Sequence, residues 1–238
     1  MKRLAISDFD GTLSKGYISM EFMDFLFHEQ LYNSDVYEKQ QQALKDQKSG
    51  KISYDEWCRQ WGELWAEGMK GQHTMDIRAA AEDFFADFKK NIYSSSYEII
   101  NYLKESYDVI LLSVGASEVI ELAAKELGIE KVISTTLEKT DIYTGKLLTS
   151  IHLPYGKENV IKAIEGKKYI GLGDSPGDLE FLKMVNVPIV MNPNDKMREI
   201  SKELEWLCLN SNHHNPKELI DRINNEIAVT ELSKSKLI

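Results

Sequence analysis

The stretch Leu4-Ala5-Ile6-Ser7-Asp8-Phe9-Asp10-Gly11-Thr12 sets the frame for the whole chain. A short apolar run closed by Asp and Gly reads as a buried strand. An acid at the end of such a strand is expensive unless its charge is compensated. Asp8 and Asp10 are alternate residues, and alternate side chains of a strand leave on the same side. Two crowded carboxylates attract a cation. A plain surface turn with two strand-end acids is the other reading, and the peptide alone does not separate them.

Four later stretches have the same character: Val109-Ile110-Leu111-Leu112, Val132-Ile133-Ser134, Tyr169-Ile170-Gly171-Leu172 and Pro188-Ile189-Val190-Met191. Helical stretches lie between them at 118–127, with Gly128 as a stop signal, and at 158–164 and 178–184. Strands alternating with helices define an α/β fold with a parallel sheet flanked by helices. Residues 15–96 break the alternation. They hold no good strand and are rich in helix formers. Gly50, Gly68 and Gly71 are expected to separate helices there. Trp57, Trp61 and Trp65 recur every fourth residue and so share one helix face. That stripe packs a helical bundle or lines a cleft. Residues 139–147 read as a hairpin with Gly145 at its tight position. The tail is a polar loop at 210–215 followed by a helix from Glu218.

Composition narrows the function. The 238 residues are 42% hydrophobic and 28% charged, enough apolar material for a sizeable core. Lys plus Arg is 29 against 38 Asp plus Glu, a net charge of −9. That balance argues against nucleic-acid binding and against a membrane surface. Cys58 and Cys208 are isolated, with no disulfide or zinc spacing. No apolar run reaches the roughly 18 residues of a membrane helix, and Asp8 interrupts the N-terminal run too early for a signal peptide. The cytoplasm is the expected location. His28, His73, His152, His213 and His214 show no metal-ligand spacing, and His213-His214 falls in the polar loop, where solvation is expected.

Gly173-Asp174-Ser175-Pro176-Gly177-Asp178 also follows an expected strand and precedes a helix. In a parallel sheet, ligands bind outside the carboxyl ends of the strands. Asp8, Asp10, Asp174 and Asp178 can therefore meet around one hard cation. An oxygen-only donor set favours Mg²⁺ over Zn²⁺. Helix capping is the alternative for this loop. Ser113 ends another apolar run, and Val114-Gly115-Ala116-Ser117 are expected to open a helix there. It reads as a helix cap or as part of an anion site. Lys157 alone reads as a solvated charge, of interest only because the acids and a phosphate would need a cation.

In chain order, Asp8-Phe9-Asp10-Gly11-Thr12, Ser113, Lys157 and Gly173-Asp174-Ser175-Pro176-Gly177-Asp178 resemble the four-motif signature of the haloacid dehalogenase superfamily, over residues 3–192. The long insert and the 141–147 segment with Thr144-Gly145 are similar to its phosphoserine-phosphatase-like branch. The resemblance implies a Rossmann-like core of residues 1–14 and 97–238, with an α-helical cap of residues 15–96 inserted after the first strand. It implies that Asp8 attacks phosphorus and forms an aspartyl-phosphate, with Asp10 as general acid and then base. Mg²⁺ would be held by the Asp8 carboxylate, the Asp10 carbonyl and Asp174, with Asp178 supporting them. Ser113, Val114 and Lys157 would bind the phosphoryl oxygens. The implied activity is Mg²⁺-dependent hydrolysis of a small phosphorylated metabolite enclosed beneath the cap. Transfer of the phosphoryl group to another acceptor, or a phospho-acceptor switch, are the rival readings. Asp10 and the large insert count against the switch.

Three positions depart from phosphoserine phosphatase. Tyr17 stands where that enzyme carries a substrate-binding Glu, Val114-Gly115 replace Gly-Gly, and Gly177 replaces Asn. Glu21 is a substitute acid one helical turn later. Arg59 and Arg78 are candidates for a carboxylate-binding Arg.

Overall fold

The computed structural model describes residues 3–149, 151–153, 156–212 and 215–235. Strand β1 (Arg3–Ser7) is followed by helices α1 (Ile18–His28), α2 (Ser34–Lys48), α3 (Tyr54–Met69) and α4 (Thr74–Phe88). Then come α5 (Ser94–Lys104), β2 (Asp108–Ala116), α6 (Ser117–Glu126), β3 (Lys131–Lys139) and β4 (Tyr143–Thr149). The chain continues through α7 (Gly156–Ala163), β5 (Lys167–Gly173), α8 (Leu179–Leu182) and β6 (Val187–Met191). It closes with α9 (Asp195–Glu203), β7 (Leu207–Leu209) and α10 (Pro216–Ser235).

The sheet order is β4-β3-β2-β1-β5-β6-β7. Every pairing is parallel except β3–β4, which is antiparallel. A parallel sheet needs cover on both faces, and β1 shows how the sequence provides it. Leu4 and Ile6 pack with Ile161 of α7, Phe181 and Leu182 of α8 and Met197 of α9. Ala5 belongs to the opposite cluster, with Ile99 and Leu103 of α5 and Leu219 and Ile223 of α10. Each fully buried Leu or Ile contributes about 1.5–3 kcal/mol. β1 is thus the middle of the core, flanked by β2 and β5.

Helices α1 to α4 fill the insert between the first two strands. Phe22 contacts Phe84 at 5.3 Å and Trp65 at 6.1 Å between ring centroids. Phe84 continues to Phe88, which meets Phe9 at 6.4 Å. The aromatic core of the insert thus runs into the residue between the two leading acids. Trp65 and Trp61 are buried and stack with an interplanar angle of 2°, while Trp57 is half-buried. The packing reading of the Trp stripe therefore describes its two inner members. Helix α5 spans the expected boundary at residue 96 and packs on the sheet and on α10.

Several local expectations are corrected. The break expected at Gly68 falls at 70–73: Gly68 is the last residue but one of α3, and an added Cβ there would sit 2.0 Å from the Tyr32 ring. The hairpin turns at 140–142, and Gly145 lies within β4. Its φ of +85° and its approach to Lys70 both demand glycine. Residues 114–116 still belong to β2, so α6 opens only at Ser117. The hairpin is also joined to the insert. Gly71 N–H donates to Tyr143 O at 2.9 Å, Tyr143 N–H to Gln72 O at 3.0 Å, and Thr74 N–H to Asp141 O at 2.9 Å. Neither Cys58 nor Cys208 is in a disulfide. No helix among the described residues is long and apolar enough to cross a membrane.

Candidate active site

The site forms at the carboxyl edge of the sheet, where β1 and β5 end side by side. Asp8 N–H donates to Leu172 O at 2.9 Å, carrying the ladder one residue past the strand. The strand itself stops at Ser7, so its alternation does not govern both acids. Asp8 Oδ1 accepts from Lys157 Nζ at 2.5 Å, whereas Asp10 Oδ1 accepts from Ile18 N–H at 2.8 Å, at the start of α1.

Gly11 makes the turn possible. Its φ is +78°, and a Cβ there would lie 2.3 Å from Asp174 Oδ2. The backbone preference alone disfavours other residues by about 1–2 kcal/mol. Gly11→Ala is expected to unfold at lower temperature and to lose most of the stabilisation that Mg²⁺ confers on the parent chain. Thermal unfolding with and without MgCl₂ checks this, and an unaltered response to Mg²⁺ contradicts it.

Lys157 is buried, not solvated. It sits in the first turn of α7, and its Nζ bridges Asp8 Oδ1 and Asp178 Oδ1, the latter at 2.6 Å. Gly156 before it has no room for a Cβ, which would meet Ile151 O at 2.1 Å. Asp178 is fully buried at the end of the short 3-10 turn after β5. Its Oδ2 accepts from Asp174 N–H at 3.0 Å, Ser175 N–H at 3.2 Å and Ser175 Oγ at 3.3 Å. It therefore caps its own loop and fixes Lys157 together. Thr12, also buried, directs Oγ1 toward Asp8 Oδ2 at 3.5 Å and Asp174 Oδ1 at 3.4 Å.

Carboxylate oxygens of Asp8, Asp174 and Asp178 lie within 4.8 Å of one another. The Asp10 carboxylate stands outside this group. Burial pushes Asp8 up from the ordinary carboxylate range, Lys157 pulls it back, and Asp178 pushes it up again. Asp174 is raised by burial and by the charges of Asp178 and Asp8. Burial pushes Asp10 up to about 8, against the hydrogen bond from Ile18. Burial would lower Lys157, but Asp178 and Asp8 more than reverse this and hold it well above the usual lysine range. With all three ionised, one ammonium would leave two negative charges in excess, and burial together with that excess is why Asp8 and Asp174 are raised. A divalent cation on oxygen donors cancels that excess, so these residues fit Mg²⁺.

Ser113 ends up on the neighbouring strand. It is fully buried, and its Oγ accepts from Gly115 N–H at 3.0 Å, so it does not cap α6. Val114 O accepts from Thr135 Oγ1 at 2.8 Å, and its side chain is partly exposed. Ser19 of α1 accepts from Ala116 N–H at 2.7 Å, tying insert to core beside the site. Two contributors carried no clear sequence signal, Ser19 and Asn192. Asn192 has a φ of 47° and donates to Gly11 O at 3.1 Å and Thr12 O at 3.2 Å. An Asn before Pro193 at a strand end is the one hint of such a turn residue.

The specificity candidates are placed as follows. Tyr17, the residue before α1, is 65% exposed. Glu21 lies over Gly16, where an added Cβ would be 2.3 Å from its Oε1. Arg59 is bonded to Glu56 and Glu63, and Arg78 to Glu82 at the surface. Pro154, Tyr155, His213 and His214 lie outside the described residues.

Comparison with known proteins agrees with this arrangement. The model of the haloacid dehalogenase-like hydrolases matches residues 5–183, and the chain belongs to that family. A solved protein of unknown function from Bordetella pertussis Tohama I superposes with a TM-score of 0.73 at 20% identity, over 89% of this chain and 99% of the other. A phospho-aspartyl intermediate analogue of phosphoserine phosphatase gives 0.61 at 18% identity, over 93% and 98%. Cytosolic 5'-nucleotidase IIIB bound to cytidine gives 0.63 at 13% identity, over 100% and 88%. Phosphoserine phosphatase SerB1 of Mycobacterium tuberculosis (strain ATCC 25618 / H37Rv) is 24% identical over 147 residues, 58% of this chain and 48% of the relative. The chain thus spans about half the length of that curated relative. Its fold is that of the phosphoserine-phosphatase-like branch, a hydrolase core carrying an inserted helical cap.

Proposed function

We propose that the chain is a Mg²⁺-dependent phosphatase that hydrolyses a small phosphomonoester through an aspartyl-phosphate on Asp8. The observation that carries this is the charge imbalance of the sheet edge, where Asp8, Asp174 and Asp178 surround the one ammonium of Lys157. Asp8, Asp174 and the Asp10 carbonyl would hold the cation, with Asp178 fixing the loop behind them. When bound, Mg²⁺ offsets the charge of the phosphoryl oxygens and so lets an anionic nucleophile approach. A carboxylate oxygen of Asp8 attacks phosphorus, and the ester oxygen leaves with a proton from Asp10. Asp10 suits that task because burial keeps it protonated toward pH 8 and Ile18 N–H fixes its direction. Asp10 then takes a proton from the water that hydrolyses the aspartyl-phosphate. Ser113, the Val114 backbone and Lys157 would receive the phosphoryl oxygens. Cysteines outside any disulfide suit a reducing, cytoplasmic setting.

The leaving group is a neutral alcohol rather than an amino acid. Tyr17 offers no carboxylate to an ammonium group, Glu21 lies over Gly16, and Arg59 and Arg78 are held by glutamates. A panel of phosphoserine, sugar phosphates and nucleotides, assayed with MgCl₂ and with EDTA, tests both statements. Phosphate release that needs Mg²⁺ and no added acceptor is the expected result. Release seen only with an added alcohol would make the chain a phosphotransferase, and no release from any compound defeats the phosphatase reading. Phosphoserine as the best substrate defeats the neutral-alcohol reading alone.

A further inference from the structure

His152 lies on the link between β4 and α7, the helix that carries Lys157. It is 5% exposed, and among the described residues neither ring nitrogen has a hydrogen-bond partner. The ring rests on Gly62 of α3, where an added Cβ would lie 2.2 Å from both Cε1 and Nε2. Trp61 meets it edge-on, with centroids 6.2 Å apart at 67°, and Trp61 Nε1 is equally unpartnered. An aliphatic or phenyl side chain would fill this position without leaving two buried nitrogens unsatisfied. The neighbours explain which form fits. Ile151 and Leu153 flank the ring in sequence and are apolar, and Trp61 offers no acceptor. The charged group facing it from α3 is Glu63, which Arg59 already binds. Burial accordingly favours the neutral ring.

Helix α3 starts at Tyr54, two turns before Gly62, and Tyr54 lies within electrostatic reach of Lys157 and Asp178. Helix α3 also packs against α2 and β4, so its seating fixes the insert against the hairpin.

We propose that His152 is a positioning residue: its ring, lodged in the notch at Gly62, couples the link that leads to Lys157 to cap helix α3 and holds the cap seated over the site. The role of the cap rests on the phosphatase reading, but the docking itself does not. A proton on the ring would be buried with no acceptor among the described residues, so acid pH drives the ring out of the notch and loosens α3.

Amide hydrogen exchange of residues 54–69 and 156–163, corrected for intrinsic rates and followed from pH 8 to pH 5 without substrate, tests this. In the parent chain both segments are expected to lose protection together, by about tenfold, on a single titration below the ordinary histidine range. His152→Phe keeps the bulk of the ring and is expected to abolish that transition. Gly62→Ala is expected to lower the protection of α3 at every pH, and pairing it with His152→Ala to restore it, because the second change vacates the space the first requires. The same acid transition in His152→Phe overturns the proposal, as does a Gly62→Ala chain whose α3 is as protected as in the parent. Since no turnover is measured, absence of phosphatase activity leaves this inference standing, and its failure leaves the phosphatase reading standing.

Discussion

Asp8→Asn is expected to lower turnover by about ten-thousand-fold or more while the chain stays folded. Asparagine has the shape of aspartate, and its Oδ1 can still accept from Lys157 Nζ, the contact that Asp8 makes at 2.5 Å. It has no anionic oxygen to form an acyl phosphate. Stability does not suffer in the same measure, because one of three clustered negative charges is removed and Asp178 still pairs with Lys157 at 2.6 Å. Phosphate release over hours, beside a thermal unfolding curve, separates the two effects. A folded Asp8→Asn chain that turns over a phosphomonoester with Mg²⁺ at a rate near that of the parent removes the aspartyl-phosphate from the mechanism.

Lys157→Met has the second large effect, and it acts on stability as well as rate. The side chain of Lys157 is 10% exposed and those of its partners 7% and 1%. Methionine retains the length and loses the charge. Asp8 and Asp178 then remain buried without a cation, and breaking a buried pair in this way costs about 3–5 kcal/mol. Turnover is expected to fall by about a thousandfold, because the same ammonium offsets charge at the phosphoryl group. Added Mg²⁺ should recover part of the lost stability, since it cancels part of the same excess. Urea unfolding with and without MgCl₂ measures both. A Lys157→Met chain as stable as the parent in EDTA would show that the bridge carries no net stabilisation.

The two residues differ in how visible they are before the fold is known. Asp8 draws notice because an acid ending an apolar run is expensive to bury, although the peptide alone also allows a surface turn. The strand and helix alternation is legible for a related reason: strands covered on both faces are short and continuously apolar. Lys157 carries no such mark. Its burial follows from the packing of α7, through Ile161, on Leu4 and Ile6 of β1, and that is tertiary information. Asn192 and Ser19 are invisible for the same cause, since each acts on backbone from a distant segment. Gly68 is legible from local preference: it stands one residue before the end of α3, where the Tyr32 ring leaves no room for a Cβ. Strand β7 escapes because three residues, Leu207 to Leu209, are too short for a period to show. The orientation of Asp10 escapes because the strand ends one residue before Asp8 and its alternation ends there too.

The backbone bonds from Gly71, Tyr143 and Thr74 that join the insert to the β3–β4 hairpin bear on engineering the molecule. Transplanting residues 15–96 alone into a related scaffold would strip main-chain donors and acceptors of their partners at the seam. Gly145 would also lose the Lys70 stem it packs against. The exchangeable module is therefore discontinuous in sequence. A chimera that carries residues 139–149 along with the helices keeps the seam intact, and one that leaves them behind has to rebuild it.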